Sequence, residues 1–106
     1  MRIDTLIKKI KEYDQDLDEE LIKKAYYYAK KHHGAQRRVS GELFIQHPLN
    51  VAYILAEHRM DSVTITAALL HDVVEDTDVT EKDIVEEFSK EIADIIDGVT
   101  NITKLR

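Results

Sequence analysis

Apolar residues recur at intervals of three and four along almost the whole chain, a spacing that a helix gathers into one buried stripe and a strand cannot use. Leu6, Ile7 and Ile10 fit a short first helix. From Asp18 to His33, Leu21, Ile22, Ala25, Tyr26 and Ala29 line one face, and Gly34 is placed to end that helix. Residues 34–47 form the one long irregular stretch. Pro48 then suits the first position of a new helix, where its missing N–H costs nothing, with Val51, Ile54 and Leu55 on the apolar side. Asp61-Ser62 supplies an N-cap for the next helix, which runs through Val63, Ile65, Ala67, Leu69 and Leu70 to about Asp76. Its β-branched start would also suit a strand, but its length and the Ala67-Ala68-Leu69-Leu70 continuation favour a helix. Being apolar on most sides, it is expected at the centre of a bundle. Thr80-Glu81-Lys82-Asp83 has the form of a capping box with Asp in place of Glu, opening a helix to Phe88. Ser89 caps the last helix, with Ile92, Ile95 and Ile96 on its apolar side; Gly98 and Val99-Thr100 weaken it near its end. The expectation is one all-α domain of five or six helices.

Only three glycines and one proline occur in 106 residues, and nothing marks a linker between domains. Hydrophobic residues at 43% and charged residues at 34% are the balance of an ordinary globular chain. No apolar run approaches the roughly 18 residues that span a membrane, and Met1-Arg2-Ile3-Asp4 does not begin a signal peptide. Without cysteine there is neither a disulfide framework nor a thiolate metal site. The expected compartment is the cytoplasm, with no membrane partner. A net charge of −6 argues against a nucleic-acid partner, which calls for a basic face. The charge is uneven, however. Lys30, Lys31, Arg37 and Arg38 form a basic segment, whereas the run from Asp72 to Glu87 is acidic but for Lys82. Such a pair of segments suits a phosphate bound beside a metal; it also suits two solvated faces of opposite sign.

The strongest local signal is His71-Asp72-Val73-Val74-Glu75-Asp76-Thr77. Adjacent side chains lie about 100° apart on a helix, so His71 and Asp72 can reach one cation beside it. Glu75 follows His71 by four residues and Asp76 follows Asp72 by four, so each pair shares a face. Four polar groups thus gather at the end of the most apolar helix, where burial without a partner would cost several kcal/mol. A bound metal would satisfy them; a His tied to backbone beside an exposed acidic tail would also account for the pattern. His47 lies 24 residues before His71, room for one helix and a return, and either faces inward or simply flanks the helix opened by Pro48. Imidazole and carboxylate ligands suit Mn²⁺, Fe²⁺ or Zn²⁺.

The run from Arg38 to Thr100 resembles the hydrolase domain of the RelA/SpoT alarmone family, a branch of the HD phosphohydrolases. The resemblance is carried by Ser40-Gly41-Glu42, Phe44-Ile45-Gln46-His47-Pro48-Leu49, Ala67 through Thr77, and Asp97-Gly98-Val99-Thr100, with weaker similarity at Ala25 and His33-Gly34-Ala35-Gln36. It implies a compact helical bundle of the HD type and metal-dependent hydrolysis of (p)ppGpp to pyrophosphate and GDP or GTP. It further implies Mn²⁺ held by His47, His71 and Asp72, with Glu75 and Asp76 orienting the attacking water and assisting proton transfer. Arg38 matches an Arg that contacts the nucleotide, and Ser40 and Phe44 fall where the family lines its guanine pocket. Phe44 stands where Tyr is common, Val39 where Lys is frequent and Leu43 where Pro is frequent. Either Arg37 or Lys31 supplies the charge absent at Val39, or none is needed.

The family's fourth ligand is an Asp on a helix downstream of the Asp-Gly-Val-Thr stretch. On this reading the chain lacks the C-terminal helices of the fold. Asp94 and Asp97 are the nearest acids and read as helix-surface residues. The resemblance also implies downstream domains in a parent chain, including a (p)ppGpp synthetase. Two further readings stay open: an HD phosphohydrolase of another nucleotide, and a non-catalytic helical fragment that packs on a larger chain or forms a homodimer.

Overall fold

Capping chemistry starts four of the helices where local sequence places it. The computed structural model describes the backbone of residues 1–104 and the side chains of residues 1–99. Among the described residues there are six helices and no strand: α1 (Ile3–Lys11), α2 (Glu19–His33), α3 (Gln46–Glu57), α4 (Ser62–Asp76), α5 (Glu81–Glu87) and α6 (Lys90–Lys104). The Asp18 carboxylate accepts from the Leu21 N–H at 3.1 Å, and Asp61 accepts from the Thr64 N–H at 2.8 Å. Thr80 and Asp83 exchange side-chain-to-backbone bonds of 3.0 and 3.2 Å, a complete capping box, and Ser89 Oγ accepts from the Ile92 N–H at 3.1 Å. Gly34 ends α2 with φ 57°, a left-handed value that suits glycine.

Helix α4 packs against α2, α3 and α6 and buries Ile65, Thr66, Ala67, Leu69, Leu70 and Val73. This enclosure on several sides explains why a segment with a β-branched start forms a helix: tertiary packing outweighs the small propensity differences. The fully buried Thr66 hydroxyl donates to the Ser62 carbonyl at 2.7 Å, so it brings no unsatisfied group into the core. Leu6 and Ile10 of α1, Ile22 and Ala25 of α2, Ile84 of α5 and Ile92 of α6 complete that core.

Three details differ from the sequence reading. Helix α3 begins at Gln46, so Pro48 is its third residue and His47 lies within its first turn rather than before it. First-turn N–H groups lack intrahelical partners, which lets proline sit anywhere in that turn. The Gln46 and His47 N–H groups instead donate to Leu43 and Phe44 carbonyls at 3.1 and 3.0 Å, a tighter entry than the α-helical one. Second, the buried face of α3 is Pro48, Leu49, Ala52 and Ala56; of Val51, Ile54 and Leu55, only Leu55 packs partly against the core, while Val51 is 37% exposed and Ile54 52%. Helix α3 lies against both α1 and α4, with Leu49 and its two small alanines buried there while Val51 and Ile54 turn outward. Third, α6 continues through Gly98 to Lys104, although Ile95 is only partly buried. A mid-helix glycine costs about 1 kcal/mol against alanine, too little to end a helix whose earlier turns are anchored in the core.

The stretch between α2 and α3 folds back on itself. Arg37 and Leu43 form an isolated antiparallel bridge, the Phe44 N–H donates to the Gln36 carbonyl at 2.8 Å, and Gly41 takes φ 93° at the tip.

Truncating Leu69 to alanine in the middle of α4 should destabilise the domain by about 2–5 kcal/mol. Asp61→Ala, which removes only the N-cap, should cost about 1 kcal/mol. Urea unfolding followed by circular dichroism measures both, and equal losses would contradict the central place of α4.

Candidate metal centre

The last turns of α4 carry the His-Asp pair, and helical geometry decides which neighbours join it. His71 Nδ1 lies 3.4 Å from Asp72 Oδ1, and His71 Nε2 lies 3.8 Å from Glu75 Oε1. Ligand-type atoms of His71, Asp72 and Glu75 all fall within 4.8 Å of one another. From the first turn of α3, His47 Nε2 reaches to 3.8 Å from Asp72 Oδ2. The two oxygens of Asp72 thus face different imidazoles on different helices.

Asp76 goes elsewhere. It is exposed and lines a separate cleft with His32, His33, Gln36, Thr77 and Asp78. Residues next to each other on a helix diverge by about 100°, so Glu75 shares the cluster with His71 while Asp76 turns towards the end of α2.

The electrostatics fit a cluster prepared for positive charge. Hydrogen bonding to His71 holds the Asp72 carboxyl below its ordinary 3.8, against burial, and the charges of His71, His47 and His33 act in the same direction. The same bond raises His71 above its ordinary 6.5; burial opposes the rise, and the charges of Asp72, Glu75 and Asp76 add to it. His71 Nε2 is buried without a hydrogen-bond partner. A buried unsatisfied nitrogen costs about 1–3 kcal/mol, and a cation within reach of it and of two carboxylates would remove that cost. Imidazoles with carboxylates and no thiolate suit a hard or borderline divalent ion. The residues present therefore fit a divalent metal.

The predicted nucleotide contacts lie together on the folded-back loop. Arg38, Ser40 and Phe44 line, with Arg37 and Val39, a surface depression of about 420 Å³. Arg38 and Ser40 are exposed, and Phe44 is half-buried with its ring centroid 6.4 Å from that of His47 at 72°. Arg37 Nη1 donates to the Gly41 carbonyl at 2.6 Å, so Arg37 is committed to closing the loop, while Lys31 stays exposed on α2. Asp94 pairs with Lys90 at 3.2 Å on the surface of α6, and Asp97 is exposed, as expected for helix-surface acids. Of the Asp97–Thr100 stretch, the Thr100 side chain lies outside the described residues. Beside the cluster runs a groove of about 380 Å³ between α3, α4 and α6. His47, His71 and Asp72 stand at one end of it, and Val51, Leu55, Ile95 and Val99 make its walls apolar. Sequence reasoning assigned no role to His33, which is buried. Its signal was position: it follows Ala29 by four residues and so continues the buried face of α2.

Without metal, the raised His71 contributes stability that is fully present below about pH 6.5 and is lost as pH rises through its folded value. The lowered Asp72 contributes stability present above about pH 3.8 and lost as pH falls through its folded value. The pair therefore stabilises the metal-free chain most between those limits. In EDTA, the loss of stability between pH 6 and pH 8 should be smaller for His71→Ala than for the parent chain. Parallel profiles in urea titrations would contradict the pairing. A divalent ion must displace the same proton, so its affinity should fall as pH drops.

Residues 25–106 match the sequence model of the HD domain. The chain is 50% identical over 101 residues to the guanosine-3′,5′-bis(diphosphate) 3′-pyrophosphohydrolase of Aquifex aeolicus, covering 95% of this chain and 14% of that relative. It is 56% identical over 84 residues to the probable guanosine-3′,5′-bis(diphosphate) 3′-pyrophosphohydrolase of Mycoplasma genitalium, covering 79% of this chain and 12% of the relative. With the GTP pyrophosphokinase rsh of Brucella ovis it shares 43% identity over 105 residues, 99% of this chain and 14% of the relative. The chain thus spans only 12–14% of the length of these relatives. Among the described residues, no helix is long and apolar enough to cross a membrane. With the His-Asp pair, the helix that bears it and the preceding loop all inside the matched region, the chain belongs to the HD domain family, in its RelA/SpoT-type branch.

Proposed function

We propose that this domain hydrolyses (p)ppGpp at the 3′ position, releasing pyrophosphate and GDP or GTP, with Mn²⁺ held by His47, His71 and Asp72. The observation that carries this reading is the meeting of these three residues and Glu75 at the end of α4. The loop of Arg38, Ser40 and Phe44 adjoins them through the Phe44–His47 ring contact. The names of the Aquifex and Mycoplasma relatives, both guanosine-3′,5′-bis(diphosphate) 3′-pyrophosphohydrolases, support the choice of substrate.

A divalent ion bound there supplies Lewis acidity and lowers the pKa of a coordinated water. Glu75 holds the attacking water and accepts its proton as the water oxygen bonds to phosphorus. The bond from phosphorus to the 3′ oxygen breaks, and that oxygen leaves with the proton that Glu75 accepted; Asp76, facing the neighbouring cleft, assists through the negative charge it adds beside His71. Arg38 donates charge-assisted hydrogen bonds to the nucleotide and its phosphates. Ser40 and Phe44 contact the guanine; a phenyl ring at position 44 offers a flat apolar face and no hydroxyl. The domain acts in the cytoplasm as part of a longer protein that also carries a synthetase, a reading supported by the length and name of the Brucella relative.

A second reading, a non-catalytic module that packs against another helix or a second copy, is favoured by the apolar groove beside the cluster. Turnover separates the two. With Mn²⁺ present, the domain should release pyrophosphate from ppGpp. His71→Ala should abolish both Mn²⁺ binding and turnover, and Glu75→Gln should lower kcat by about 10²–10⁴-fold, the range for loss of a general base. Hydrolysis of a deoxynucleotide but not of ppGpp would refute the substrate. A chain that binds no Mn²⁺ at any pH would move the assignment to the packing module.

A further inference from the structure

His33 ends α2 and, at 3% exposed, is the most deeply buried imidazole among the described residues. Its Nδ1 lies 3.4 Å from Gln36 Oε1, at the long limit of a hydrogen bond, and its Nε2 has no partner. A histidine buried for its hydrogen bonds would use both nitrogens well. This one uses one of them weakly, so what the position exploits is a flat ring. That ring lies 4.6 Å from the Phe44 ring at 32°, within the range of an offset stack.

Phe44 in turn is tied to His47 twice. Its carbonyl accepts from the His47 N–H at 3.0 Å, and its ring meets the His47 imidazole edge-on at 6.4 Å and 72°. Phe44 is also joined to Gln36, whose carbonyl accepts its N–H at 2.8 Å, and the Gln36 N–H donates to the His33 carbonyl at 3.1 Å. Backbone and rings thus run in parallel from His33 to His47. No other described ring contact reaches Phe44.

We propose that His33 is a positioning residue: its buried ring, stacked on Phe44, fixes the side chain of His47 for the metal and holds the substrate loop against the end of α2. The inference rests on the metal-site reading given above, and it concerns an orientation that exists before any metal binds. The His47 side chain is 38% exposed, so a neighbour is needed to restrict its rotamers.

The test uses the 106-residue chain, His33→Leu, His33→Phe and the core control Ile84→Ala on α5. Two readouts are taken, with folding followed by circular dichroism: Mn²⁺ affinity by electron paramagnetic resonance, and the His47 ring resonances of the metal-free chain by NMR. His33→Leu should raise the Mn²⁺ Kd about tenfold, the lower end of the effect of removing a group that orients a ligand. It should also broaden or double the His47 ring signals. His33→Phe, which keeps the flat ring, should restore most of the affinity and a single sharp set of signals. Ile84→Ala should lower the melting temperature and change neither readout. The proposal is overturned by wild-type affinity and sharp His47 signals in His33→Leu, or by equal losses in Ile84→Ala. An unsubstituted 106-residue chain that binds no Mn²⁺ would defeat the metal-site reading alone, and the metal-free His47 signals would still decide the role of His33.

Discussion

Burying α4 between α2, α3 and α6 fixes where its polar end emerges. A helix that is apolar on most sides can slide or rotate only at the cost of exposing leucine or isoleucine, so Leu69, Leu70 and Val73 set its depth and angle. His71, Asp72 and Glu75 then take their places as a consequence of that packing. The neighbouring helices contribute in the same way. Helix α3 approaches closely through Ala52 and Ala56, and its first turn delivers His47 to the face of Asp72.

Asp72 is the point at which these constraints meet. One of its oxygens faces His71 on its own helix, and the other faces His47 across the helix contact. A carboxylate held between two imidazoles is already oriented, and binding a cation then requires little reorganisation beyond loss of a proton. Helix geometry also divides labour within the acidic end of α4. Glu75 points into the cluster and Asp76 into the cleft beside α2, so two adjacent carboxylates work in different surroundings.

Much of this was legible in the sequence because the deciding interactions are local. Asp18, Asp61, Thr80 with Asp83, and Ser89 each act within three residues, and every one caps the helix that the sequence assigns to it. The centrality of α4 was legible because its apolarity leaves no other place for it. The face of α3 was not, since that helix is apolar on two sides. Leu49, Ala52 and Ala56 form one stripe and Val51 and Ile54 another, with Leu55 at its edge packing partly on the core, and periodicity cannot say which stripe meets a neighbour. At the site, spacing put His71 with Glu75 on one face of α4, and the choice of His47, His71 and Asp72 as a ligand set came from the family resemblance. The contact of His33 with Phe44 was hidden, because it joins a helix end to a folded-back loop whose path no local rule dictates.

The folded-back loop between α2 and α3 satisfies itself. Arg37 bonds Gly41, the Arg38 N–H bonds the Glu42 carbonyl, and Arg37 pairs with Leu43 across the bridge, while Val39 stands fully exposed and outside the core. Residue 39 therefore carries no duty in folding, and mutation there is filtered only by what approaches from solvent. An evolving lineage can exchange charge, size or polarity at this tip without lowering the stability of the domain. The exposed tip can thus change independently of the His71, Asp72 and Glu75 cluster, which sits at the end of a core helix and has no such freedom.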